Sequence, residues 1–497
     1  VAPTHPALKP AFAMTGEQVA IVDAARGGNR VVGEALAGTG KTSTAVEITK
    51  AMPGVPTTYI AFNKSVQREA EGRFPVEWVD CRTGHSLAYH AAAKPYANRL
   101  PGNPGASRIT AQAMARAMKV KPALLDSATL NPVVVTRMAQ ATVNAYMKTA
   151  DPTVAAHHIP QRVLGLHDPV ALADAILPVA EKIWEDLTNP KGRFRFTPDV
   201  YLKLAQLQDM RIPSDLLIFD EAQDADPVMA AIVRRQEAFG SQIVWIGDPN
   251  QAIYGWRGAV DAMSQIEDAV RLSLTMSFRF GLVIAAFANG WLERLGSKQR
   301  VVGYDKIQSR VVTPDMLPEP RAILCRGNGT ALGWVLRFQE REVPVALAPG
   351  DKSAGKDIER FAWAARDLMQ ANGTDHPDLV GFTDWDQLCK YVDEEEDTDD
   401  LKRMVGIINR IGVSKVIDAV RGLAAEKDAK VTVSTAHKAK GLEWDSVRVA
   451  DDFVPPADKE TGDLLPPAPE DFMLNYVTVT RAKLMLDPGP LDPTLWR

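Results

Sequence analysis

Gly38, Gly40, Lys41 and Thr42 fall within one short stretch, Ala35-Leu36-Ala37-Gly38-Thr39-Gly40-Lys41-Thr42. Glycine adopts backbone angles closed to other residues and lets the main chain approach a ligand with no Cβ in the way. A lysine and a hydroxyl directly after such a turn suit a polyphosphate. The ammonium can reach the outer phosphates, and the Thr42 hydroxyl can ligate a hard divalent cation. Thr39 belongs to the same phosphate-binding loop, and Ala35 stands where the general pattern has a further glycine. A second group lies far downstream. Leu216-Leu217-Ile218-Phe219 is a continuous apolar run that ends in Asp220-Glu221-Ala222-Gln223-Asp224. Such a run suits a strand buried on both faces of a parallel sheet. Carboxylates at the C-terminal end of that strand sit where open α/β sheets bind ligands. Asp220 is then the Mg²⁺ holder, and Glu221 the base that polarises water for attack on a γ-phosphate. Alone, an Asp-Glu pair is as good an acidic start for a helix. The phosphate loop upstream tips the reading toward ATP with Mg²⁺.

Further stretches follow in order. Thr15-Gly16-Glu17-Gln18 precedes the loop, with Ser43 directly after it. Ala61-Phe62-Asn63-Lys64-Ser65 and Cys81-Arg82-Thr83-Gly84-His85-Ser86 come next. Ile246-Gly247-Asp248-Pro249-Asn250-Gln251-Ala252-Ile253-Tyr254-Gly255-Trp256-Arg257-Gly258-Ala259 and Ser277-Phe278-Arg279 lie in the middle. Ser434-Thr435-Ala436-His437-Lys438-Ala439-Lys440-Gly441-Leu442-Glu443-Trp444 and Tyr476-Val477-Thr478-Val479-Thr480-Arg481-Ala482 close the series. As an ordered set these resemble the motifs of superfamily 1A DNA helicases of the UvrD/Rep type, and within that group the helicase part of the F-box DNA helicases.

The resemblance implies roles. Gln18 reads the adenine edge, Phe278 stacks on the base in place of the usual tyrosine, and Glu443, beside Gly441, bonds the ribose. Gln251, Arg279 and Arg481 surround the γ-phosphate with Lys41, the two arginines coming from a second core across a cleft. Ser43 stands where an arginine commonly packs on the base. Phe62, Asn63, His85, Tyr254, Trp256, Arg257, Arg326 and His437 form the DNA track. Single-strand binders combine backbone contacts with aromatic platforms of this kind. A lone aromatic such as Phe62 or Trp256 is otherwise more often core.

These residues need elements to hold them. Strand-like runs at Val31-Val32, Thr57–Ala61, Leu216–Phe219 and Ile243–Ile246 alternate with helical stretches such as Ser43–Lys50. That is the pattern of a parallel sheet wrapped by helices. Ala322–Cys325, Val431–Ser434 and Ser446–Ala450 supply strands for a second one. The expected fold is α/β, with two RecA-like P-loop NTPase cores, each carrying a mainly helical insertion. The first core (1A) covers 1–86 and 198–270 around an insertion (1B) at 87–197. The second (2A) covers 271–347 and 430–497 around a small insertion (2B) at 348–429.

Composition is compatible with several domains and an ample core: 497 residues, 46% apolar. Net charge is −5, so a DNA path needs a local basic groove rather than a basic protein. Asp393–Asp400 is an acidic run, read as a solvated loop or helix end. Cys81, Cys325 and Cys389 are far apart, without the spacing of a disulfide framework or zinc site. No secretory signal or bilayer-length apolar run is visible, so a cytoplasmic, nucleoid-associated protein with no membrane partner is expected. The resemblance implies ATP-dependent translocation on single-stranded DNA with 3′→5′ helicase action at single/double-strand junctions. Recombinase or single-strand-binding proteins are the protein partners this points to. Three rivals stay open: a protein-displacing translocase that unwinds weakly, an RNA-directed motor, and a nucleotide-switched binding protein.

Overall fold

In the computed structural model, residues 13–100, 109–125, 128–160, 168–255, 261–348, 355–374, 376, 379, 382, 384–394, 399–455 and 465–496 are described. They form two compact units. The first comprises Val1–Ala35, Lys41–Pro249 and Tyr254–Leu274; the second comprises Leu36–Gly40, Asn250–Ile253 and Thr275–Arg497.

In the first unit, the apolar runs become the inner strands of a six-stranded parallel sheet. Its strands are β1 (Val31–Ala35), β2 (Thr57–Ala61), β3 (Val79–Thr83), β6 (Leu216–Phe219), β7 (Gln242–Gly247) and β8 (Val270–Leu274), in the order β3-β2-β6-β7-β1-β8. β2 and β6 are buried along their whole length, as strands covered by helices on both faces must be. The register pairs Val31 with Val244 and Thr57 with Leu216. Parallel pairing brings every C-terminal strand end to one edge. Asp220, Asp248 and Phe62 therefore emerge on the same side, each directly after its strand. Helix α1 (Gly16–Arg26) precedes β1, and α2 (Lys41–Ala51) follows it, starting on the lysine itself.

The insertion at 87–197 is mainly helical. It contains α5 (Ala111–Met118), α6 (Pro132–Tyr146) and α7 (Pro169–Thr188), after α3 (Lys64–Glu71) and α4 (Gly84–Ala88). It also holds an antiparallel hairpin of β4 (Ala123–Leu125) and β5 (Ala128–Leu130). Tyr146, Ile176 and Phe196 share one apolar cluster with Phe219 and Trp245, so insertion and sheet have a common core. Arg99 is almost fully buried there, donating to the carbonyls of Asp186, Leu187 and Phe194 at 2.8–3.1 Å.

β3 and β8 lie outside the expected strands. Both are sheet edges with alternating or partly exposed faces, so neither carries a continuous apolar run. β8 also shows that a division at 270/271 cuts a strand: Val270–Leu274 pairs with β1 and belongs to the first sheet.

The second unit has its own parallel sheet, in the order β11-β12-β10-β13-β14-β9. Its strands are β9 (Arg310–Val311), β10 (Ala322–Cys325), β11 (Val345–Leu347), β12 (Val431–Thr435), β13 (Trp444–Val449) and β14 (Ala482–Asp487). After α8 (Pro198–Leu207) and α9 (Pro227–Arg235) of the first unit, helices α10 (Leu282–Arg294) and α11 (Asn328–Glu340) belong here. The described part of 348–429 folds as α12 (Lys356–Met369), α13 (Trp385–Glu394), α14 (Asp399–Ile411) and α15 (Val413–Arg421). α16 (Ala436–Ala439) and α17 (Pro469–Val479) complete the unit. Phe361, Leu388, Val405 and Val416 share a cluster with Ile323 and Val433, so these helices and the sheet are packed as one body.

Candidate nucleotide site and nucleic-acid track

The chemistry of the first unit centres on a largely buried lysine among carboxylates. Lys41 Nζ lies 3.0 Å from Glu221 Oε1. Burial works against the lysine charge, but Glu221, Asp220 and Asp248 more than offset it and hold the pKa above the ordinary lysine value. Asp220 is pushed up to about 6, first by burial and then by Glu221; Lys41 and the Tyr59 hydroxyl act the other way. Tyr59 donates to Asp220 Oδ2, and the Glu221 N–H donates to Asp220 Oδ1 at 2.9 Å.

Glu221 stands at φ 53°, ψ 40°, a left-handed conformation that side chains other than glycine seldom adopt. It aims the carboxylate back over the end of β6. Gln223 fixes it there, donating from Nε2 to Glu221 Oε2 at 2.6 Å while Oε1 accepts the Asp248 N–H at 2.9 Å. Gly247 leaves room for that amide, since a Cβ there would lie 2.1 Å from Gln223 Oε1. Tyr59, Gln223 and Asp248 were not singled out by sequence reasoning. Gln223 and Asp248 lay inside the quoted stretches, whereas Tyr59 is one of many strand aromatics.

Asp220 and Thr42 offer oxygen donors only, the ligand chemistry that Mg²⁺ prefers, and the excess of carboxylate around Lys41 leaves room for a cation. The residues thus fit a Mg²⁺-bound nucleotide.

On the first turn of α2, two neighbouring side chains are tied to other elements. Gln18 is buried in a capping box, with Oε1 accepting the Thr15 N–H at 3.0 Å and Nε2 reaching Thr44 Oγ1 at 3.3 Å. One amide hydrogen remains for a base edge. Ser43 Oγ accepts from the Arg73 guanidinium at 2.7 Å. The position without its own arginine therefore has one delivered from the end of α3. Sequence inspection alone had no signal for Arg73.

The track candidates of this unit divide. Phe62, 46% exposed, stacks with Tyr254 at 5.9 Å between ring centroids and 19° between planes. An aromatic ring left exposed at a strand end, stacked on a half-buried partner, is not core packing. Asn63 caps α3, its Oδ1 accepting the Ser65 and Val66 N–H groups at 2.9 and 3.0 Å, which leaves the amide donors for phosphate. His85 is exposed and 3.4 Å from Asp199. Trp256 and Arg257 lie outside the described residues.

In the second unit, Gly38 (φ +74°) and Gly40 (φ +82°) take the left-handed turns the loop requires. A Cβ on Gly38 would lie 2.6 Å from both Arg279 Cβ and Ser277 Oγ. The Thr39 hydroxyl closes the loop on the Leu36 carbonyl at 2.8 Å. The Phe278 N–H donates to the Gly38 carbonyl at 2.8 Å, and the Tyr476 hydroxyl accepts the Ala37 N–H at 3.1 Å. The Phe278 ring is 39% exposed, free to face a base. Arg279 pairs with Glu443 at 2.6 Å and donates to the Thr480 carbonyl at 3.1 Å. Arg481, 1% exposed, donates to Gln251 Oε1 and the Leu442 carbonyl, both at 3.3 Å, and to the Val477 carbonyl at 2.9 Å. Structure thus gathers Gln251 with Arg481, and Gly38 with Phe278, Arg279 and Glu443. Gly441 turns at φ +84° ahead of Glu443. Arg326 is held by Asp471, its N–H donating to Asp452 Oδ2 at 3.0 Å, and His437 sits in the short helix α16.

Residues 196–269 match the UvrD/REP helicase N-terminal domain, and residues 378–487 match the UvrD-like helicase C-terminal domain. Over 95% of its length the chain is 30% identical to F-box DNA helicase protein 1 of Schizosaccharomyces pombe, covering 57% of that protein. Over 91% it is 27% identical to F-box DNA helicase 1 of Gallus gallus, covering 46%. A shorter stretch, 18% of the chain, is 33% identical to the RecBCD enzyme subunit RecB of Mycobacterium tuberculosis, covering 9% of it. The chain spans about half the length of the F-box relatives. No helix among the described residues is long and apolar enough to cross a membrane. With both domain matches, two parallel-sheet units and the motif residues seated on them, the chain carries the N- and C-terminal domains of UvrD-like helicases.

Proposed function

We propose that this chain is an ATP-hydrolysing motor that moves 3′→5′ along single-stranded DNA and separates duplex at single/double-strand junctions, in repair, recombination or replication. The observation that carries the reading is the largely buried Lys41–Asp220–Glu221 group, on the same sheet edge as Phe62, an exposed ring stacked on Tyr254. Phosphoryl transfer needs positive charge and positioning more than covalent help. Lys41 supplies charge at the outer phosphates, and Glu221 orients the attacking water. Gln251, Arg279 and Arg481 are the further residues assigned to the γ-phosphate charge. Arg279 must leave Glu443 to act there, which makes Glu443 available to a ribose hydroxyl. Mg²⁺, held by Asp220 and Thr42, would neutralise phosphate charge.

DNA as the track is supported by the exposed Phe62 ring stacked on Tyr254 and by the two F-box relatives, both named as DNA helicases. Recombinase or single-strand-binding proteins are the partners that such a motor would meet on its track. The test is steady-state ATPase with and without single-stranded DNA, using Lys41→Ala as the blank. Strong stimulation by DNA, lost in the blank, is expected. Activity indifferent to DNA but raised by RNA overturns the choice of track, and negligible turnover with any nucleic acid overturns the motor.

A further inference from the structure

Away from the residues used so far, α11 and α14 cross in the second unit and leave a cavity of about 410 Å³ between them. α11 presents Thr330, Gly333, Trp334 and Arg337 to it; α14 presents Arg403, Gly406 and Arg410. Each set follows the three- and four-residue spacing of a single helix face. Three guanidiniums thus surround the cavity, against one lining carboxylate, Asp451. Arg403 is anchored by donating to the Thr330 hydroxyl. Arg337 and Arg410 have no carboxylate partner among the described residues. Trp334 lies under the Arg337 guanidinium, 5.1 Å from centroid to Cζ, and stacks on Phe338 at 5.8 Å.

The floor is equally informative. A Cβ on Gly333 or on Gly406 would meet nothing within 4 Å. Neither glycine is there to avoid a clash, and each sits inside a helix, where glycine is destabilising relative to alanine. Two helix-weakening residues facing open space keep the cavity deep.

We propose that this cavity is a binding groove for the phosphodiester backbone of single-stranded DNA, with an unpaired base or sugar lying against Trp334. Cations arranged around one aromatic face fit that ligand: guanidinium pairs with phosphate oxygens, and every base offers a π-face for stacking. α11 begins shortly after Arg326, so the groove continues the second unit's proposed strand contact along that helix. Arg403 and Arg410 belong to the small second insertion, which thereby has a substrate-holding role. The inference rests on the DNA reading above.

The test is equilibrium binding of a fluorescein-labelled oligodeoxythymidylate over a salt series, alongside DNA-free ATPase and thermal midpoints. Two variants are compared with wild type: Gly406→Glu, which puts a carboxylate into open space, and the double variant Arg337→Ala/Arg410→Ala. Both are expected to keep the DNA-free ATPase; the double variant should keep the midpoint, and Gly406→Glu should keep or raise it, because a helical glycine is replaced. Both should weaken binding roughly tenfold or more. The double variant should flatten the slope of log K against log salt by about 1.4, at about 0.7 per lost phosphate contact on single strands. Gly406→Gln, of similar bulk but neutral, should fall between Gly406→Glu and wild type, and serves if the charged variant fails to fold. Wild-type affinity and salt slope in the folded variants overturn the groove alone. A wild type that binds no oligodeoxythymidylate overturns the DNA reading and the groove with it. Tighter binding of oligouridylate than of oligodeoxythymidylate, lost equally in the variants, overturns the assignment to DNA.

Discussion

Replacing Glu221 by Gln should separate catalysis from binding in opposite directions. The left-handed backbone at residue 221 is kept, and Gln has the same shape as Glu, so strain is equal in both proteins. The bond from Gln223 Nε2 can still be accepted by an amide oxygen. What disappears is one negative charge, 3.0 Å from Lys41 Nζ, between side chains only 15% and 22% exposed. At an effective dielectric of 20 that pair is worth about 5–6 kcal/mol of gross Coulomb attraction. Desolvation and the remaining carboxylates, Asp220 and Asp248, return most of it. An incoming γ-phosphate has to draw Lys41 away from Glu221, so the variant should bind ATP as tightly as wild type or up to about tenfold tighter, a gain of about 1.4 kcal/mol. Turnover should fall by about 10²–10⁴, the usual range for a lost general base. The assay is single-turnover hydrolysis with DNA present, beside equilibrium binding of a fluorescent ATP analogue. Turnover within about threefold of wild type removes Glu221 from the role of water-orienting base. Binding weakened more than about tenfold refutes the competition between Glu221 and phosphate for Lys41.

Asp220 makes stability depend on pH. Its folded pKa of about 6 lies above the unfolded value of 3.8, so the folded state holds the proton more tightly. Stability therefore falls as pH rises from about 4 to about 6 and is flat above, by about 3 kcal/mol. The nucleotide-free Asp220→Asn variant should escape this loss, its advantage in thermal midpoint growing across that window; a constant difference between the two proteins would contradict the assignment. Phe62→Ala should weaken single-strand binding by roughly 1–3 kcal/mol without lowering the thermal midpoint, because the ring is half-exposed. Unchanged affinity would return Phe62 to a packing role. Gly247→Ala forces a methyl to within 2.1 Å of Gln223 Oε1 and should cost about 1–3 kcal/mol of stability along with part of the ATPase, through loss of the Gln223 hold on Glu221. A variant with wild-type melting and turnover would show that Gln223 can be displaced without consequence.

Local spacing carries the candidate phosphate loop and the strands beside it. Gly38, Gly40, Lys41 and Thr42 need only each other and a preceding strand, so short-range spacing reveals them. β6 and β7 are legible as continuous apolar runs, as strands buried on both faces tend to be, and β2 through its β-branched and aromatic residues. β3 and β8 are not, since an edge strand shares its alternating pattern with many loops. Tertiary structure alone decided which side chains meet. The Tyr59 bond to Asp220 joins two strands, and the Arg73 bond to Ser43 joins two helices. Gln223 links Glu221 to Asp248 only because β6 and β7 are neighbours in the parallel register. The cavity of α11 and α14 depends on how two helix faces cross, and neither face looks unusual by itself. Local spacing encodes a residue's own backbone and its reach along the chain. Contacts between elements distant in sequence depend on packing, and packing is set by the whole sheet and its helices together.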